Sequence, residues 1–129
     1  MAKINVTGGI VIPNGPQFPF NQTLDVEAYE QIDITVASGA VDKGVDLPGG
    51  TEPVQLIAII SDLYADELTY KINTGATARK LDQPLLLIGT GAVSLFSDAP
   101  AKLSFSNSTT GPKAKDAQLH ILIGRDATP

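Results

Sequence analysis

His120 is the only histidine in the chain, and there is no cysteine, so any imidazole or thiolate chemistry has to run through this one ring. A Ser-His-Asp triad would need it as general base, yet no Gly-x-Ser-x-Gly elbow is present. His120 stands between Leu119 and Ile121 in an alternating run, and it is predicted to point away from them as a surface or packing residue. Zinc is disfavoured too, because one histidine leaves carboxylates to complete the ligand set. Oxygen ligands for calcium are offered by Asp62, Asp66 and Glu67 around a turn, and by Asp42 and Asp46 flanking Lys43-Gly44-Val45. Neither spacing matches the EF-hand loop, and solvated turn carboxylates are the default reading. Paired carboxylates for glycoside hydrolysis would meet only in the fold, and nothing points to a raised pKa. Gly89-Thr90-Gly91 is too short for a dinucleotide fingerprint, and no Gly-Lys-Ser/Thr follows any glycine loop. Asn5-Val6-Thr7, Asn21-Gln22-Thr23 and Asn107-Ser108-Thr109 match the glycosylation triplet, which matters only in a secretory protein. The residues therefore predict no catalytic set, no cofactor and no resident metal.

The elements that would position any site are strands. Leu24, Val26, Ala28, Ile32, Ile34 and Val36 occupy even positions with polar residues between them, the period of a half-buried strand pair or one bent strand. Glu30 interrupts that face, which predicts a bulge or a change of sheet near Tyr29-Glu30. The same alternation returns in Leu68-Tyr70-Ile72, Leu103-Phe105 and Leu119-Ile121-Ile123. Val54 to Ile60 and Leu85 to Ile88 are apolar on both faces and read as central strands. Ser38-Gly39, Pro48-Gly49-Gly50, Asn73-Thr74-Gly75, Gly89-Thr90-Gly91 and Gly111-Pro112 supply turns. Helix is confined to a turn at Ser61 to Asp66 and an ambiguous stretch from Thr90 to Phe96. The fold class is all-β: an antiparallel β-sandwich or jelly roll of about eight strands with an extended N-terminal arm.

That arm is Gly-Gly-Ile-Val-Ile-Pro-Asn-Gly-Pro-Gln-Phe-Pro-Phe, residues 8–20. Pro13, Pro16 and Pro19 block ladder donation and favour extended backbone, while Phe18 and Phe20 are apolar anchors. The chain divides accordingly into residues 1–20, an N-terminal strand and arm, and residues 21–129, the sandwich. Ile10, Ile12, Phe18 and Phe20 are the candidate partner-binding residues. The arm either docks on another surface or crosses one end of its own sandwich and caps the core.

The chain has 129 residues, of which 43% are hydrophobic, enough for one core and no second domain. No apolar run approaches the roughly 18 residues of a spanning helix, so a soluble chain without a membrane partner is expected. The start Met1-Ala2-Lys3-Ile4 shows no secretory h-region, and export by that route is not expected. A net charge of −5 has the wrong sign for phosphate contacts, which argues against nucleic acid. Only 18% of residues are charged, consistent with a surface partly covered by neighbours.

The runs Ser61-Asp62-Leu63-Tyr64-Ala65-Asp66-Glu67-Leu68-Thr69-Tyr70-Lys71-Ile72-Asn73, Leu81-Asp82-Gln83-Pro84-Leu85-Leu86-Leu87-Ile88-Gly89 and Ile121-Leu122-Ile123-Gly124-Arg125-Asp126-Ala127 resemble small virion proteins of tailed bacteriophages, closest to the capsid cement or decoration type. The resemblance covers roughly residues 24–127 as texture of strand and turn, and the arm lies outside it. It implies a β-rich homotrimer that sits on the outside of an expanded capsid and bridges capsomers. The implied partners are the major capsid protein and further copies of the chain. It also implies synthesis in the bacterial cytoplasm, a final place on the virion, and no enzyme activity. Two alternatives stand beside it: another virion part, such as a tail or head-fibre component, and a carbohydrate-binding β-sandwich module. The latter should carry exposed aromatic platforms, and with no Trp it would have to use Tyr29, Tyr64 or Tyr70.

Overall fold

The computed structural model describes residues 2–26, 28–47, 54–73, 75–96 and 101–125; the predicted turn at Pro48-Gly49-Gly50, Thr74, and the closing Asp126-Ala127 lie outside the described residues. The strands are β1 (Ala2–Val11), β2 (Gln17–Val26), β3 (Ala28–Val36), β4 (Lys43–Asp46), β5 (Val54–Ser61), β6 (Ala65–Ile72), β7 (Arg79–Leu81), β8 (Leu85–Ile88), β9 (Lys102–Asn107) and β10 (Ala117–Arg125). One short helix, α1 (Thr90–Phe96), and a 3-10 turn at Gly111–Lys113 complete the described elements. The ambiguous stretch from Thr90 is thus helical. Ser61 to Asp66 instead forms a tight connection, in which the Ser61 N–H donates to Tyr64 Oη at 2.9 Å and the Leu63 N–H donates to Ser61 Oγ at 3.1 Å.

All pairings are antiparallel, and those from β3 onward nest: β6 pairs with β7, β5 with β8, β4 with β9 and β3 with β10. Two further pairings, β10 with β5 and β6 with β9, join these ribbons side by side. The result is two four-stranded sheets, ordered β3-β10-β5-β8 and β4-β9-β6-β7. Alternation explains why they share one core. Val36, Ile57, Ile59, Leu119, Ile121 and Ile123 come from the first sheet and Val45, Leu68, Leu81, Leu103 and Phe105 from the second, all in a single buried cluster. Removing a Leu, Ile or Phe side chain of this kind from water contributes roughly 1.5–3 kcal/mol. Val93 of α1 joins the same cluster.

One expectation needs correction. Leu85–Ile88 is an edge strand rather than a central one, with Leu86 44% exposed. Its inward residues Leu85 and Leu87 pack on the core, and a run of four apolar residues does not show whether a second neighbour follows. The change of sheet expected near Tyr29-Glu30 is present at the β2–β3 junction, and β3 then runs against β10 without a register shift.

Polar groups hold the end of the body near Val36. Asn107 is fully buried; its Nδ2 donates to the Val36 carbonyl at 3.0 Å and to the Lys115 carbonyl at 2.7 Å. Its Oδ1 accepts the Thr109 hydroxyl at 2.7 Å and the Thr109 N–H at 3.2 Å. The Thr109 Oγ1 in turn accepts the Lys115 N–H at 3.2 Å. The side-chain amide is consumed by the fold and closed to glycosylation. Truncation removes the donor to the Val36 carbonyl in the buried interior and the acceptor of the Thr109 hydroxyl and N–H, so Asn107→Ala is expected to lower unfolding stability by about 3 kcal/mol in urea titrations. Asn5→Ala, on an exposed strand, should stay within about 0.5 kcal/mol of the parent.

Candidate interaction surface

Residues 8–20 form the distal part of a β-hairpin, not a single extended arm, and the hairpin runs from Ala2 to Val26. Residue 20 lies inside β2, opposite Gly8. Pro13-Asn14-Gly15 makes the turn: the Gly15 N–H donates to the Ile12 carbonyl at 2.8 Å, and Asn14 adopts φ +59°. Proline at the second position and a left-handed residue at the third is the type II pattern. The Ile12 N–H then closes the loop onto the Pro16 carbonyl at 3.3 Å. Pro19, opposite Gly9, is tolerated because a two-stranded ribbon consists only of edges. The overlooked signal is Asn14-Gly15 between two apolar-containing runs, a strong mark of a hairpin.

The ribbon is two-faced. Opposed pairs Ile4 with Leu24, Gly8 with Phe20 and Ile10 with Phe18 line one side, together with Val26 and with Val6 and its polar partner Gln22. The other side carries polar pairs: Lys3 Nζ lies 3.4 Å from Asp25 Oδ1, the Thr23 hydroxyl donates to Asn5 Oδ1 at 2.9 Å, and the Thr7 hydroxyl donates to Asn21 Oδ1 at 3.4 Å. Burial falls along the apolar face from base to tip. Val26 is fully buried, Ile4, Val6, Phe20 and Leu24 are half-buried, and Ile10 and Phe18 are 59% and 54% exposed. Phe20 lies over Gly8, where an added Cβ would fall 2.8 Å from its Cζ. Ile12, 46% exposed, folds over Gly15 at the tip.

The structure thus brings three of the candidate residues, Ile10, Phe18 and Phe20, onto one face and leaves Ile12 at its end. Ile4, Val6, Leu24 and Val26 extend that face and were legible as even-numbered apolar positions on both strands. At the base the face meets the body. Gly124 of β10 is buried, and a Cβ there would lie 3.2 Å from Ile4 Cδ1, 3.3 Å from Leu56 Cβ and 3.4 Å from Val26 Cγ1. A side chain at 124 would make Ile4, Leu56 and Val26 give by a few tenths of an ångström, so this close approach of ribbon to sheet favours glycine.

Other candidates resolve into local pairs. His120 points outward and its Nδ1 lies 2.7 Å from Asp33 Oδ1 on the neighbouring strand. Asp42 pairs with Lys71 at 3.3 Å, Asp66 with Lys80 at 3.6 Å, and Asp62 Oδ1 accepts the Gln118 N–H at 2.9 Å. Among the described residues no three His, Cys, Asp or Glu side chains converge on a metal-sized site. Tyr70 is buried, Tyr64 is half-buried and Tyr29 is 59% exposed, so only Tyr29 of the three could offer an open ring to a sugar. An apolar recess of about 170 Å³ is lined by Tyr70, Arg79, Leu85, Leu87 and Leu95. No helix among the described residues is long and apolar enough to cross a membrane.

Comparison with protein-family models, with curated proteins and with solved structures finds no match to this chain.

The His120 hydrogen bond, seconded by one from Gln31, holds the Asp33 carboxyl below its ordinary value of 3.8. A depressed folded-state value means that the pair's contribution to stability is present above pH 3.8 and is lost as pH falls through the lower folded value. Because both side chains are 59% exposed, the contribution is small. Carbon-detected NMR titration is expected to place the Asp33 midpoint below 3.8 in the parent and to move it upward in His120→Ala.

Proposed function

We propose that this chain is a structural component of a tailed-bacteriophage virion, of the capsid cement or decoration type. It would be made in the bacterial cytoplasm, assemble as a homotrimer on the outside of the capsid, and hold neighbouring capsomers together through contacts with the major capsid protein. The observation that carries the reading is the hairpin, whose exposed apolar tip gives a small protein a docking element separate from its core. Such an element suits a chain that works by adhesion.

The strand order adds support. Two sheets ordered β3-β10-β5-β8 and β4-β9-β6-β7 around one core read as an eight-stranded jelly-roll sandwich, an architecture used by viral capsid and lectin domains. Architecture alone does not assign function, so the weight stays on the docking surface. Repetition on a lattice adds more: linked copies gain avidity without a strong individual contact.

Mass spectrometry of virions purified from the bacterium that carries the gene tests this directly. The chain is expected in amounts comparable with the major capsid protein, and its absence from the particles would overturn the reading. Phe18→Ala should weaken re-attachment to stripped capsids about ten- to a hundredfold while leaving the melting temperature unchanged, since that ring is half out of the fold. Phe20→Ala should weaken attachment and also loosen the ribbon, because its ring fills the space over Gly8. Unchanged attachment in both variants would remove the hairpin from the docking role.

A further inference from the structure

Taking the hairpin as the docking element, we infer that its partner includes a second copy of this chain: the apolar tip of one hairpin lies on the outer face of the β3-β10-β5-β8 sheet of a neighbour. That outer face is divided. On its β3 side stand Gln31, Asp33 and Thr35, with Tyr29 at the hairpin end opposite Gly124, and from β10 Gln118 and His120, whereas on its β5–β8 side stand Ala58, Ile60, Leu86 and Ile88, with Leu122 between. Ile60 is 53% and Leu86 44% exposed. The apolar half continues the patch at Leu56 and Gly124 onto which the hairpin's own base already packs through Ile4 and Val26. The same two surfaces, ribbon face and sheet face, therefore meet within one copy and then part company, each leaving an uncovered apolar remainder.

One copy cannot cover both remainders itself. The pairing from Ala2 with Val26 to Val11 with Gln17 runs without a register shift, so no bulge bends the ribbon back, and Ile10 and Phe18 stay exposed. Charge does not oppose contact made through the ribbon. The described hairpin holds one Lys and one Asp, which leaves all of the net charge of −5 in the rest of the chain. A neutral ribbon can approach an acidic body where two acidic bodies repel. Area argues for closure. The distal half of the ribbon, about five residues per strand, is roughly 17 Å long and 10 Å wide, so its uncovered face offers on the order of 170 Å², well short of a stable pairwise interface. When each copy both gives and receives a hairpin the contact is doubled per copy, and such head-to-tail contacts can close into a ring.

The absence of native cysteine makes the test direct. Ile10→Cys and Leu86→Cys chains, each altered at an exposed position, are mixed and mildly oxidised, and a disulfide between the two different chains is expected. Separately, Leu86→Glu should raise the self-dissociation constant about a hundredfold in sedimentation while its circular dichroism and melting temperature match the parent. Ile10–Ile10 cross-links with none to residue 86 would overturn the inference in favour of hairpins packed face to face. A parent chain that stays monomeric at high micromolar concentration, yet attaches to stripped capsids in a Phe18-dependent way, would overturn self-docking and leave the virion reading standing. Self-association through residues 10 and 86 in a chain absent from virions would do the reverse.

Discussion

Strand β10 stands between β3 and β5 and is hydrogen-bonded to both, so the sheet that carries most of the buried aliphatic side chains depends on one of the last segments of the chain. Its inward residues Ala117, Leu119, Ile121 and Ile123 are at most 1% exposed, and they face Leu103 and Phe105 of the opposite sheet within one cluster. Without it, β3 would have no partner in that sheet and β5 only the four-residue β8. The nested pairings make the dependence kinetic as well. The β6–β7 pair joins residues close in sequence, whereas β3 with β10 matches Ala28 to Arg125 and must close nearly the whole chain. Contacts of that range are reached late and slowly, because loop-closure entropy is lost before the long-range contacts return it.

The Asn107–Thr109–Lys115 group makes sense in that setting. Asn107 ends β9 in one sheet, Val36 ends β3 in the other, and Lys115 lies just before β10, so a single amide links three segments that have to arrive together. Backbone bonds reinforce it: the Gly39 N–H donates to the Asn107 carbonyl at 2.7 Å, and the Asn107 N–H donates to the Ala40 carbonyl at 2.9 Å. A buried amide with its donors and acceptor satisfied adds directional information that an apolar contact lacks. An aliphatic side chain there would fill the volume but leave the position of the β9–β10 connection undetermined.

Much of this was legible in the sequence, and the parts that were not share a cause. Alternation placed β3, β6, β9 and β10 and the core residues Leu68, Leu103, Phe105, Leu119, Ile121 and Ile123, because burial on one side of a pleat leaves a period of two. Leu85–Ile88 misled because a run of four apolar residues reads alike at the edge and in the middle of a sheet: Leu85 and Leu87 pack on the core, while Leu86 stays 44% exposed. Residues 8–20 misled more. Three prolines argue against a sheet strand only if the sheet continues on both sides, and in a ribbon Pro13 and Pro16 belong to the turn while Pro19 needs no partner. Phe18 and Phe20 stood out in the sequence as apolar residues, yet their common face with Ile10 follows from the register, and the register follows from the turn.

The ribbon's own energetics explain why its exposed face matters. A two-stranded hairpin alone in water is marginal, since each ordered residue gives up about 1–2 kcal/mol of backbone entropy. Its cross-strand pairs return only about 0.2–1 kcal/mol each, and the Lys3–Asp25 pair is open to solvent. The base is secured by Val26 and Ile4 against Gly124 and Leu56, but that support fades along the strand as Ile10 and Phe18 emerge. A surface covering those two side chains therefore stabilises the ribbon and the contact by the same burial, and affinity and hairpin order rise together. The ribbon's edges do not compete well for that role. Pro19 lacks a donor on β2, and the apolar side chains project from the face rather than the edge, so docking through the face buries more apolar surface than strand addition at the edge would.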